Sequence, residues 1–130
     1  MKYSDKVLEH FNNPRNVGEL PADDPDVGTG FVGSPACGDA MQMQIRVKDG
    51  KIEDIKFKTF GCAAAIASSS LATEQLKGQS LLSALKLSRD QLAGELELPP
   101  VKVHCSVMAV EALHAALSNY NEKQQKQAAQ

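Results

Sequence analysis

The sequence predicts an α+β domain, a three-stranded antiparallel sheet followed by helices packed on one face of it. Apolar and polar residues alternate over 41–47 and again over 55–60, and an Asp-Gly pair stands between the two stretches. Nearly all helical signals come after them. Strands first and helices afterwards is the order of a layered α+β fold.

Ser4 to Phe11 reads as a short helix, with Ser4 or Asp5 at its start and Pro14 preventing extension. Residues 16–38 are rich in Gly, Pro and Asp and read as loop, with a short strand near Val27 to Val32. Met41, Met43, Ile45 and Val47 alternate with Gln42, Gln44 and Arg46, the pattern of a half-buried strand. Lys48-Asp49-Gly50 is the hairpin turn, because Asp-Gly readily takes positive φ. Ile55, Phe57 and Thr59 then alternate with Lys56, Lys58 and Phe60 in the next strand. Cys62 to about Lys77 is an Ala- and Ser-rich helix closed by Gly78, and its small residues allow a close approach to the sheet. Ser80 to Leu87 and Ser88 to Leu96 are two short helices, the second with a Ser88/Gln91 capping box. The last helix runs from about Cys105 to Tyr120, with Val110, Leu113, Leu117 and Tyr120 as its buried stripe. Residues 121–130 are polar and expected to fray as a flexible tail.

At 130 residues the chain is the size of one domain, taken as 1–130. Hydrophobic residues make up 42% but aromatics only 5%, so the core must be built from Ala, Leu, Val, Ile and Met. The net charge of −2 offers no basic footprint, and no nucleic-acid partner is expected. No apolar run approaches the ~20 residues that span a bilayer, and no membrane association is expected. The first residues carry no signal-peptide core and no Arg-rich transit pattern. Three cysteines are an odd set, which fits free thiols in a reducing compartment: the cytoplasm, or the mitochondrial matrix of a processed eukaryotic protein.

The chemistry-bearing residues stand at element junctions. Cys37 ends a Gly/Pro loop with Asp39 two residues on, Cys62 lies at a strand-to-helix junction, and Cys105 lies at a loop-to-helix junction beside His104. Helix N-termini favour thiolate, the form that binds metal and attacks sulfur donors, so Cys62 and Cys105 are expected to be ionised readily. Three thiolates with either His104 or Asp39 make four ligands, the number that a [2Fe–2S] core takes from its protein. The imidazole set is one unit less negative than the carboxylate set. Either non-thiolate group binds this soft centre more weakly than a fourth thiolate would. Ligand type alone does not separate this site from a structural Cys₃His zinc site. The cysteines are separated by 25 and 43 residues, unlike the tight spacing of an electron-carrying ferredoxin. A Cys105–His104 nucleophile pair is disfavoured, since sequence neighbours do not face each other well. His10 and His114 are assigned to structure. Leu98-Pro99-Pro100-Val101-Lys102 cannot be helix interior and is expected to be extended; its plain reading is a linker between helices.

Several stretches taken together carry a resemblance. Asn13-Pro14-Arg15-Asn16-Val17-Gly18, Pro35-Ala36-Cys37-Gly38-Asp39, Gly61-Cys62 with Ala65 to Ser70, and Leu98 to Ser106 resemble the IscU/NifU N-terminal-type family of iron–sulfur scaffold proteins over roughly residues 3–121. Ala63-Ala64 departs from the Gly-Ser that some relatives carry, without loss of a ligand. The resemblance implies a scaffold, not an enzyme, on which a transient [2Fe–2S] cluster is built from ferrous iron and sulfur and passed to apo iron–sulfur proteins. It implies Cys37, Asp39, Cys62, His104 and Cys105 as the metal-binding set. Zinc competes well for such ligands and is expected in the resting form, and Cys105, beside His104, is the expected first sulfur acceptor. The implied partners are a cysteine desulfurase, an electron-donating ferredoxin, a frataxin-like protein and an Hsp70/J-type chaperone pair. Leu98, Pro99, Pro100, Val101 and Lys102 would be the chaperone-docking peptide, and the chain would be a monomer or a dimer. A zinc-binding sulfur acceptor or sulfurtransferase on the same fold is the alternative.

Overall fold

The computed structural model describes residues 2–34 and 38–128. Its elements run α1 (Asp5–Asn12), β1 (Val27–Ser34), β2 (Asp39–Lys48), β3 (Lys51–Phe60), α2 (Ala63–Leu76), α3 (Leu81–Leu85), α4 (Arg89–Leu96), a 3₁₀ turn (Pro100–Lys102) and α5 (Val103–Ala128). The three strands form one antiparallel sheet in the order β1-β2-β3, as the alternation predicts. Asp49 and Gly50 both take positive φ, +54° and +74°, in the tight turn between β2 and β3. A register shift between Arg46 and Val47 lets Ile52 and Ile55, three positions apart, both point into the core.

Met41, Met43, Ile45 and Ile55 form the buried face of the sheet, against Ala64, Ala65, Ala67 and Leu71 of α2 and the small residues of α5. The α5 stripe is Cys105, Ala109, Ala112, Leu113, Ala116 and Leu117. Of the four residues expected there, Leu113 and Leu117 are buried, while Val110 and Tyr120 are only partly so. Alanines carry the seam because α5 lies directly on β1. A Cβ added at Gly30 would stand 2.5 Å from the Ala116 nitrogen and 2.8 Å from Ala115 Cβ, and one at Gly28 would stand 2.8 Å from Tyr120 Cβ. A helix this close to a strand tolerates neither bulk on the helix nor a side chain on the strand.

The expected end of the last helix at Tyr120 is too early, and residues 121–128 continue it. Lys123 fastens this extension: its Nζ donates to the backbone oxygens of Ala22, Asp24 and Val27 at 2.6, 3.0 and 2.7 Å. The expectation of an extended Leu98–Lys102 is corrected for its second half. Pro99 is extended at φ −63°, ψ 151°, but Pro100 opens a 3₁₀ turn, where a first-turn proline forfeits no bond and its fixed φ suits the helix.

Segment 13–18 braces the far edge of the sheet. The Asn16 carbonyl accepts from the Phe57 N–H and the Gly18 N–H donates to the Phe57 carbonyl, both at 3.0 Å. Asn16, at φ +62°, donates through Nδ2 to Thr73 Oγ1 of α2. The Arg15 N–H donates to Ser70 Oγ at 2.9 Å, and that hydroxyl lies 2.8 Å from Nδ1 of the buried His10. His10 is structural, as expected. Ser4 caps α1 by accepting from the Val7 N–H, and its hydroxyl donates to the Leu96 carbonyl of α4.

Candidate metal and sulfur site

Helix starts and strand ends meet at one end of the molecule. β3 ends at Phe60, Gly61 turns the chain, and Cys62 is the N-cap of α2 with extended backbone (φ −81°, ψ 174°). The 3₁₀ turn hands over to α5 at Val103, which places His104 and Cys105 in the first turn of that helix. Asp39 begins β2, opposite Ser34 of β1.

Four of the five expected ligands form a continuous chain of contacts. Cys62 Sγ lies 3.7 Å from Cys105 Sγ. Cys105 Sγ lies 3.6 Å from His104 Nε2, and that nitrogen lies 3.5 Å from Asp39 Oδ2. Cys37 falls outside the described residues. The arrangement is a line rather than a cage: among the described residues no three His, Cys, Asp or Glu side chains converge tightly enough for a preformed metal site. The expectation that His104 and Cys105 turn away from each other is corrected. In the first turn of α5 the imidazole Nε2 comes within 3.6 Å of the neighbouring sulfur.

The two thiols differ in environment. Cys62 is half-buried. Burial pushes its pKa up, but the Ala65 N–H, the Cys105 thiol, the Ala64 N–H and the Lys102 ammonium outweigh this and hold it below the ordinary thiol range. The two amides act as the positive end of α2, although neither closes a capping hydrogen bond to the sulfur. Cys105 is fully buried, and its thiol is pushed up to about 12 by burial first and then by the neighbouring Cys62. The expectation that both helix-start cysteines favour thiolate therefore holds for Cys62 and fails for Cys105. Desolvation over the packed α5 seam exceeds what a helix start supplies.

Sequence reasoning missed three neighbours. Lys102, singled out only within the proline motif, adds positive charge beside Cys62; its place three residues before Cys105 was the available signal. Tyr3 packs at the same edge with its phenol beside Cys62, and nothing in the sequence marks it. Gly61 abuts the Asp39 carboxylate: a Cβ at 61 would lie only 3.4 Å from Asp39 Cγ and closer still to Oδ1. His114 is exposed and apart from these groups. Leu98 to Lys102 leads straight into the site, and its outermost side chain, Val101, is 65% exposed.

The comparisons with known proteins agree over nearly the full chain. An Azotobacter vinelandii protein named iron-sulfur cluster assembly scaffold protein IscU is 61% identical over 124 residues, spanning 95% of this chain and 97% of its own. A Drosophila melanogaster protein named iron-sulfur cluster assembly enzyme IscU is 59% identical over 128 residues, 98% of this chain and 83% of its own. Among solved structures, the N-terminal part of a NifU-like protein from Brucella abortus superposes with a TM-score of 0.73 at 21% identity, covering 92% of this chain and 94% of that one, a likeness of fold. The NifU-like N terminal domain description matches residues 2–127, so the segments that build the sheet, the α5 seam and the Cys62–Asp39 line all fall within one family, and the chain belongs to it.

Proposed function

We propose that this protein is a scaffold on which an iron–sulfur cluster is assembled and from which it is passed to apo-proteins. The observation that carries the reading is the line Cys62–Cys105–His104–Asp39, two soft donors and two exchangeable ones, each next to the following one, at one end of the sheet. Family membership and high identity to proteins named as cluster assembly scaffolds support it. Iron and sulfur are the substrates here, and the cluster is the product.

The finer reading is a [2Fe–2S] cluster on Cys37, Cys62 and Cys105, with His104 or Asp39 as the fourth ligand. Cys105 holds its proton in the metal-free chain, so it becomes a nucleophile toward persulfide sulfur only when a base accepts that proton. His104 Nε2, 3.6 Å away, is the base within reach. Sulfur then comes from a cysteine desulfurase and electrons from a ferredoxin, with a frataxin-like protein assisting. Catalytic turnover belongs to those partners. Release is helped by an Hsp70/J-type chaperone pair that takes the Leu98–Lys102 peptide. That peptide is joined directly to His104 and Cys105, so drawing it into a groove would pull on two ligands.

Reconstitution of single variants tests the ligand set. Cys62→Ser and Cys105→Ser are expected to form no lasting chromophore with ferric iron and sulfide. A wild-type chain that stays colourless and keeps one tightly held zinc would favour a zinc-binding sulfur acceptor instead.

A further inference from the structure

We propose that Gly61 is a positioning residue for Asp39: the missing side chain at 61 is the space that admits the Asp39 carboxylate to the metal site. The inference rests on the reading of Asp39 as an exchangeable ligand given above.

Asp39 is held from behind. Its backbone oxygen faces Gly33, at φ +87°, where an added Cβ would stand 2.5 Å from that oxygen and 3.1 Å from Met108 Cε. Antiparallel pairing with Ser34 fixes the same backbone in register. The Asp39 side chain lies against Gly61, the residue after Phe60, which pairs with Ala40. The carboxylate crosses over Gly61 with Oδ1 inside the volume that a Cβ would fill. Its other oxygen reaches to 3.5 Å from His104 Nε2. A methyl group at 61 and the carboxylate in this place exclude each other, because real Cβ contacts do not fall so short. Since the Asp39 backbone is pinned, the carboxylate is the part that must swing away, and it leaves the imidazole when it does. Ala65 Cβ, at 3.4 Å from the added atom, is a tight but tolerable neighbour.

Gly61 also has a backbone reason to be glycine, since its φ of +159° lies at the margin of the region that side chains avoid. The two reasons separate in a double-variant cycle. A backbone effect of Gly61→Ala persists when the carboxylate is removed, whereas a steric effect vanishes.

The experiment compares wild type, Asp39→Gly, Gly61→Ala and the double variant. Fold is followed by circular dichroism, the donor set by the visible spectrum of bound cobalt(II), and cluster loss by absorbance decay with a chelator. The expected result is that Asp39→Gly and Gly61→Ala give the same altered cobalt spectrum. Both slow cluster loss by the same factor within about twofold, and the double variant is no slower than Asp39→Gly alone. A Gly61→Ala chain that fails to fold is expected to regain its fold in the double variant. The proposal is overturned if Gly61→Ala keeps the wild-type spectrum and decay while Asp39→Gly changes them. Effects that add in full, or a double variant that stays unfolded, overturn it as well. Wild-type behaviour of Asp39→Gly would overturn the ligand reading itself and this inference with it.

Discussion

The sulfurs of Cys62 and Cys105 lie 3.7 Å apart, and their environments move the two thiols in opposite directions. Cys62 caps α2 near the Lys102 ammonium and is held below the ordinary thiol range. Cys105, in the first turn of α5, is fully buried and is pushed up to about 12. Proximity adds to the split, since a proton left on Cys105 stabilises a thiolate on Cys62 and a charge on Cys62 penalises one on Cys105.

In the metal-free chain at neutral pH, Cys62 is therefore expected to react with iodoacetamide at least about tenfold faster than Cys105. Peptide mapping by mass spectrometry over a time course measures both rates in one sample. Equal rates would mean that the burial of Cys105 is not maintained in solution.

The α5 seam on β1 is expected to be intolerant of a single methyl group. Gly30→Ala should lower stability by about 1–3 kcal/mol, because the added atom meets helix backbone rather than a side chain that can turn aside. Chemical denaturation of both chains measures it. A change inside experimental error would show that α5 can lift from the strand without loss.

His10 makes stability depend on pH. It is 2% exposed, and burial, followed by the Arg15 charge, holds its pKa below 6.5 against the opposing pull of Glu74 and Glu9. Between 6.5 and the lower folded value, the unfolded chain binds a proton that the folded chain refuses. Stability is therefore full above about pH 6.5 and falls as the pH drops through this window. Denaturation midpoints at pH 7.0 and 5.5 should differ in that sense in wild type and differ less in His10→Gln. An equal slope in the variant would place the pH dependence elsewhere.

The strands, the Asp-Gly turn and the order of helices were legible because period-two alternation and turn chemistry are local. Cys62, Cys105, His104 and Asp39 drew notice through their chemical type and their junction positions, and the fold brings them into one line. The Ala109–Ala112–Ala116 seam was not, because a stripe of alanines has no amphipathic contrast, and the more hydrophobic Val110 and Tyr120 suggested a different face. The end of α5 was missed for a related reason. Residues 121–128 are polar and read as fraying, but Lys123 finds its three carbonyl partners about 100 positions earlier in the chain. The state of Cys105 depends on how deeply packing buries it, and no spacing in the sequence encodes that depth.

The proline peptide is expected to act through its exposed tip. A chain with Pro99→Ala, Pro100→Ala and Val101→Glu together should keep its fold and its cluster-forming capacity but lose most of its stimulation of an Hsp70-type ATPase. Val101 is 65% exposed, and the prolines hold the turn that presents it. Normal stimulation by the triple variant would remove this segment from the account of release.

Transfer of a newly built cluster tests the scaffold reading most directly. The protein is incubated anaerobically with ferrous iron, L-cysteine and a cysteine desulfurase, and an apo-ferredoxin is added once visible charge-transfer bands have formed. The account predicts that the bands leave this chain and appear on the ferredoxin. Bands that form and stay on this chain indefinitely would contradict it, because a cluster held permanently is a cofactor and not a product.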